Sequence, residues 1–172
     1  MAHVDIWQLN LTELSRLIGA RELSSAEAVS AALARLEKLE GQLNAFITVL
    51  RDSALAEAKT ADQQIARGQY RGPLHGVPLT IKDMFETAGA LTTGGSKILA
   101  GWVPETDAAL VERLRAAGAV IIGKTNLDEF GHGGTSTLSH FGPVHNPWDT
   151  ERIAGGSSGG SAGGGGSGVR PA

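Results

Sequence analysis

Between Gly155 and Ser161 the sequence runs Gly-Gly-Ser-Ser-Gly-Gly-Ser, which sets serine hydroxyls among glycines. Glycine on both sides of a serine admits positive φ and lets a substrate approach the main chain. A spacer beside a well-patterned domain needs neither freedom, although composition alone reads the run as a linker. Across 172 residues there is no cysteine. Thiol nucleophiles, thiolate metal ligation and disulfides are therefore excluded, and covalent chemistry falls to oxygen or amine groups.

Three other clusters invite a chemical reading. His132, His140 and His145 are close in sequence, but none belongs to an HExxH helix and no cysteine assists, so they read as loop histidines and no metal site is expected. Asp128 and Glu129 are adjacent and point in different directions on any regular element. A solvated or capping role suits them better than a facing acid/base pair. Gly118 to Thr125 satisfies the phosphate-loop pattern G-x-x-x-x-G-K-[ST], yet its central Ala-Val-Ile-Ile is strand sequence rather than a loop that turns its N–H groups on phosphate. A buried strand is the stronger reading.

The elements that must position these groups follow from pattern. Leu14, Leu17 and Ile18 predict a first helix after Thr12, stopped by Gly19. Ser24 and Glu27 form a capping box for a second helix carrying Val29, Leu33, Leu36 and Leu39, with Gly41 as its end. Ala45–Leu50 reads as a strand and about Ser53–Ala66 as an Ala-rich helix closed by Gly68. After a Gly/Pro turn at 72–78 come a strand over Val77–Ile81, a helix over Asp107–Ala117 and a strand over Ala119–Ile122. Continuous apolarity in these strands predicts a βαβ unit in a covered, largely parallel sheet. The expected fold class is α/β, with N-terminal helices followed by βαβ units of a mixed, largely parallel sheet covered by helices. Lys82 falls at the carboxyl end of the first of these two strands, where open α/β sheets place ligand sites.

The division expected is an N-terminal helical segment over 1–70, an α/β part over 71–153, and a Gly/Ser-rich loop with an irregular tail over 154–172. That last stretch has almost no side chain with which to build a core, so it either wraps closely around something or hangs free. With 41% apolar and 19% charged residues the composition is that of a globular protein. Fifteen basic against 18 acidic residues give a net charge of −3 with no basic stripe, so no direct nucleic-acid partner is expected. The opening residues lack a signal-peptide core and no apolar run reaches membrane-span length, so neither a membrane partner nor export is expected and the location expected is cytoplasmic.

Several of these segments carry a resemblance. Gly72-Pro-Leu-His-Gly-Val-Pro-Leu-Thr-Ile-Lys82-Asp83 looks like the lysine segment of amidase-signature enzymes. The run from Asp107 to Asn126 resembles that family's next block, followed by Glu129-Phe130, Asn146-Pro147-Trp148-Asp149 and Gly155-Gly-Ser-Ser-Gly-Gly-Ser. The interval from Lys82 to Ser157 also matches, and the likeness covers nearly everything from about residue 10 to Ala162.

The resemblance implies hydrolysis or transfer of carboxamides by a serine, serine, lysine triad, a variant of nucleophile and base logic that needs no cofactor. It assigns Lys82 as the base and Ser157 as the relay serine beside a cis peptide bond. Gly155, Gly156 and Ser158 would border the substrate. To accept a proton Lys82 must be neutral, so burial must pull its pKa from about 10.4 toward about 7. A small-molecule amide is the implied substrate of a stand-alone amidase, with a homodimer as one assembly. The alternative is the glutaminase A subunit of a glutamyl-tRNA amidotransferase, which needs partner subunits; a third reading is a non-catalytic fragment or binding module. The Glu129–Ser136 stretch resembles the stand-alone enzymes slightly more.

The family's nucleophile lies in a Thr-Gly-Gly-Ser-Ile-Arg type motif, beyond a small helix and a strand. Here Gly165-Gly-Ser167-Gly-Val-Arg170 looks like a distorted version, with Ser167 only ten residues after Ser157. Ser167 is thus a doubtful nucleophile. A frameshifted or truncated product is the first expectation, an engineered Gly-Gly-Gly-Gly-Ser join the second and a compact enzyme using Ser167 the third. No amidase activity is expected of the isolated chain.

Overall fold

The computed structural model describes residues 5–166 and 168. Helix α1 spans Leu11–Gly19 and begins earlier than Thr12 suggested, because Asn10 supplies the cap: its side chain accepts the Glu13 N–H while the Glu13 carboxylate accepts the Asn10 N–H. Helix α2, Ser25–Leu43, has the reciprocal box between Ser24 and Glu27. It runs past Gly41, since burial of Leu43 keeps the last turn helical, and it ends at Asn44 in the left-handed region (φ 49°). Asp62 adds a second clamp by accepting the N–H groups of Ser25 and Ala26 at 2.7 and 3.1 Å.

Strand β1 (Phe46–Val49) leads into helix α3 (Arg51–Ala66), then strand β2 (Pro78–Lys82), helix α4 (Ala109–Ala116) and strand β3 (Val120–Thr125). The three strands form one mixed sheet in the order β1-β3-β2, with β2 parallel and β1 antiparallel to β3. The strand expected over Ala45–Leu50 is thus β1, through which the N-terminal segment joins the edge of the same sheet. Val120 and Ile122 pack with Leu33, Leu36 and Phe46 under α2 and α3, while Ile121 joins Ile81 and Val111 of α4, so both faces are covered. Burying one such aliphatic side chain contributes about 1.5–3 kcal/mol, which makes these contacts the main source of stability.

One irregularity decides which way the end of β3 faces. Leu79 pairs with Ile121 but Thr80 pairs with Gly123, so Ile122 is an extra residue that reverses the alternation. As a result Lys124 turns toward the loop after β2, and Thr125 turns toward the opposite face.

A small hairpin, β4 (His145–Asn146) and β5 (Asp149–Ile153), precedes helix α5, Gly159–Gly166. An irregular tail is the expectation over these residues, and a helix corrects it. Glycine costs about 1 kcal/mol per residue relative to alanine in a helix, so propensity does not build α5. Close approach does. Gly159 and Gly160 are buried, and the Gly160 N–H donates to the Asn126 carbonyl. A Cβ on Gly160 would lie 2.5 Å from the Asn126 nitrogen. Of the two options left open for this segment, wrapping closely is the one adopted over 159–166.

Candidate active site

Strand β2 delivers Lys82 at its carboxyl end, and the chain returns to that end through β3 and the residues before α5. Lys82 Nζ and Ser157 Oγ lie 2.7 Å apart. The Gly156–Ser157 peptide bond is cis. Both side chains are half-buried, and burial pulls the Lys82 pKa below the ordinary lysine value while the charge of Asp128 pushes the other way.

Three contacts hold Ser157 against Lys82. Its carbonyl accepts the Asp128 N–H at 3.2 Å. Two residues on, the Gly159 N–H donates to Ser136 Oγ at 2.8 Å. Ser161 in the first turn of α5 shares a 3.0 Å hydrogen bond with Thr125, the residue paired with Lys82 across β2 and β3. The start of α5 is thus pinned to the strand neighbouring the lysine.

Asp128 is fully buried, which corrects the solvated reading of that residue. Its carboxylate accepts the N–H groups of Thr135 at 3.2 Å, Ser136 at 2.9 Å and Leu138 at 3.2 Å, and so gathers the backbone of residues 135–138 around itself. Desolvation opposes its ionisation, but the donated N–H groups outweigh it and hold the carboxyl below its usual pKa. Glycine is required around it: a Cβ on Gly133 would sit 2.5 Å from Asp128 Cγ, and one on Gly156 would sit 2.5 Å from Oδ2. Glu129, its sequence neighbour, is exposed.

Beneath the site lies a second lysine. Lys124 and Asp83 are both sealed from solvent with Nζ and Oδ1 3.1 Å apart. Lys124 also donates to Thr92 Oγ1 at 2.6 Å and to the Phe85 carbonyl at 3.1 Å, while Asp83 Oδ2 accepts from the Thr93 N–H and hydroxyl. The pair closes the loop from 83 to 93 that follows Lys82. Burial lowers the Lys124 pKa, and Asp83 works against that shift.

Gly155, Gly156 and Ser158, expected to border a substrate, lie beside Ser157: Gly155 is half-exposed with φ +86°, while Gly156 and Ser158 are exposed. Ser167 lies outside the described residues. A cleft of about 680 Å³ with Phe130, His132, Leu138 and His140 in its wall opens nearby; a Cβ on Gly131, between Phe130 and His132, would point to within 3.9 Å of Ser157 Oγ. A cavity of about 360 Å³ near His75 and Gly118 lies at the amino end of β2 and β3, away from Lys82. Among the described residues no group of three or more His, Asp or Glu side chains could hold a metal ion, and no helix is long and apolar enough to cross a membrane.

Sequence reasoning missed the roles of Asp83, Thr125, Asp128 and Ser161. Only Asp128 left a trace that local reading could have followed: two glycines and a Thr-Ser-Thr run five to nine residues downstream, suited to folding back over a carboxylate.

A family model described as Amidase matches residues 27–169. The A subunit of glutamyl-tRNA(Gln) amidotransferase from Aromatoleum aromaticum is 55% identical over 149 residues, 87% of this chain and 30% of that protein. Among solved structures, a chain from a vestigial protein complex, described as revealing the evolutionary origins of an s-triazine catabolic enzyme, aligns with a TM-score of 0.91 at 41% identity, covering 95% of this chain and 36% of that one. The peptide amidase of Stenotrophomonas maltophilia aligns with a TM-score of 0.84 at 39% identity, covering 91% and 33%. The chain thus spans about a third of the length of the relatives it matches. A family match over most of its residues, agreeing with the fold and its lysine-serine contact, establishes that this chain belongs to the amidase family.

Proposed function

We propose that Lys82 and Ser157 are the base and relay serine of a carboxamide-cleaving site. The observation that carries this reading is their 2.7 Å contact at the end of β2, in surroundings that disfavour the ammonium. With Lys82 neutral, an attacking serine hydroxyl loses its proton to Ser157 Oγ as Ser157 passes its own proton to Nζ, and the new C–O bond forms at the amide carbonyl. Collapse of the tetrahedral adduct breaks the C–N bond, and the proton held on Lys82 returns through Ser157 to the departing nitrogen. The ammonia or amine thus leaves first, and water then cleaves the acyl ester by the same route, giving the carboxylate and restoring the serine hydroxyl.

Among the described residues no second serine hydroxyl hydrogen-bonds Ser157 Oγ. We expect the 172-residue chain alone to release no ammonia from a simple carboxamide; turnover abolished by Ser167→Ala would reverse this. The base reading is tested separately by acetylating the chain over a range of pH and quantifying each lysine by mass spectrometry. Lys82 should react as a free amine at lower pH than a lysine side chain in a short unstructured peptide added to the same sample, and coincident profiles would refute the assignment.

A second reading is favoured by the 55% identity to one component of an amidotransferase: the site would release ammonia from glutamine for partner subunits. Co-purification with such subunits supports it, and hydrolysis of varied amides without them supports the stand-alone reading.

A further inference from the structure

Asp128 is a buried anion that the proton-transfer scheme does not use. Its main-chain N–H grips the Ser157 carbonyl, its carboxylate gathers the N–H groups of Thr135, Ser136 and Leu138, and the Gly156 Cα lies against Oδ2 with no room for a methyl group. With the Gly131 N–H, which its carbonyl accepts at 2.7 Å, five hydrogen bonds converge on a residue with no solvent exposure.

We propose that Asp128 is a positioning residue for the Lys82–Ser157 pair: it holds the Gly156–Ser157 peptide in place, and its carboxylate, packed on Gly156, fixes a negative charge one residue from the serine that touches Lys82. This rests on the reading of Lys82 as the base. The carboxylate has a purpose beyond shape: burial alone would favour the neutral amine without limit, and a base that never holds its proton cannot return it to the leaving nitrogen. An anion fixed by backbone donors offsets part of that burial, and Asp128 acts on Lys82 in this sense. The donors that keep Asp128 ionised come from the same loop that packs on Gly156, so one carboxylate couples the geometry of the serine to the protonation of the lysine.

Asp128→Asn keeps the outline of the side chain and removes the charge, while its amide nitrogen replaces one of the two oxygens that accept the loop's N–H groups. Its Lys82 acetylation midpoint should move to lower pH than in the unaltered chain. A carboxylate that served shape alone would give the opposite result, because a loosened Ser157 lets water reach Lys82 and its midpoint rises; a rise, or no change, overturns the proposal. Exposed Glu129 and His132 are common to both proteins, so their charges cancel in the comparison. Should Asp128→Asn fail to fold, the coupling is read from its other end, since linkage is reciprocal. In Lys82→Met, the Asp128 carboxyl carbon followed by NMR should titrate at higher pH than in the unaltered chain, and an unmoved titration overturns the proposal. A normal Lys82 profile in the unaltered chain would instead refute the base assignment itself, so the two failures are distinguishable.

Discussion

Lys124→Met removes a cation that is fully buried and leaves Asp83, equally buried, holding a negative charge with only Thr93 as donor. It also removes the lysine's hydrogen bonds to the Phe85 carbonyl and the Thr92 hydroxyl, two of the ties that keep the loop after Lys82 closed. Removing one partner of a buried ion pair costs about 3–5 kcal/mol, because the abandoned charge has neither water nor a counter-charge. With a urea m value of about 2 kcal/mol/M, a loss near the middle of that range lowers the unfolding midpoint by roughly 2 M. The assay is urea unfolding followed by far-UV circular dichroism for the unaltered chain, Lys124→Met, Asp83→Asn and the double variant. Each single variant strands a partner while the double strands neither, so the double should lose far less than the sum of the singles, a coupling of about 1 kcal/mol or more. Additive losses, or a Lys124→Met loss below about 1 kcal/mol, would show that the pair does not hold the loop.

A methyl group on Gly156 would fall 2.5 Å from the Thr135 nitrogen and 2.6 Å from the Gly134 carbonyl carbon, whereas one on Gly155 (φ +86°) meets nothing within 4 Å. Gly156→Ala should cost about 1–3 kcal/mol through overpacking and also shift Lys82 acetylation. Gly155→Ala should cost about 1–2 kcal/mol through backbone conformation alone and leave Lys82 unchanged, so equal effects on Lys82 labelling would refute the distinction. His75 is kept neutral by burial and by nearby Arg71, which places its pKa in the fold below the unfolded value of about 6.5, and its Nδ1 accepts the Arg71 N–H. Its contribution is complete above that unfolded value and is lost as pH falls through the folded one. Urea midpoints should therefore drop between about pH 7 and pH 5, with a shallower drop in His75→Gln; parallel profiles would remove His75 as the cause.

What could be read in advance was local. The Ser24–Glu27 box, the Ala-rich α3 and the strand character of Val120 to Ile122 each depend on residues within a few positions, and each appears in the fold. The first helix is capped by Asn10 and begins at Leu11, ahead of Thr12, because a better acceptor lay two residues upstream. Burial of Asp128 was hidden because its partners are main-chain N–H groups, which every sequence possesses and none advertises. Nothing in the spacing of Lys82 and Ser157 specified their contact; likeness to a family suggested it, and the parallel pairing of β2 with β3 helps bring it about. The direction in which Lys124 points depends on the single extra residue at Ile122, below the resolution of any hydrophobic pattern.

Alanine is ordinarily the most innocuous replacement in a helix, which is why scans use it as a blank. In α5 that convention inverts. The main chain of this helix rests directly on its neighbours at Gly160, and the Gly159 amide is fastened to Ser136, so the smallest possible addition acts there as a wedge. Alanine at Gly159 or Gly160 would lift the serine-bearing turn away from the sheet, whereas Gly163 and Gly164, where a Cβ meets only ordinary contacts of 3.4 Å or more, are the places in this helix to stiffen.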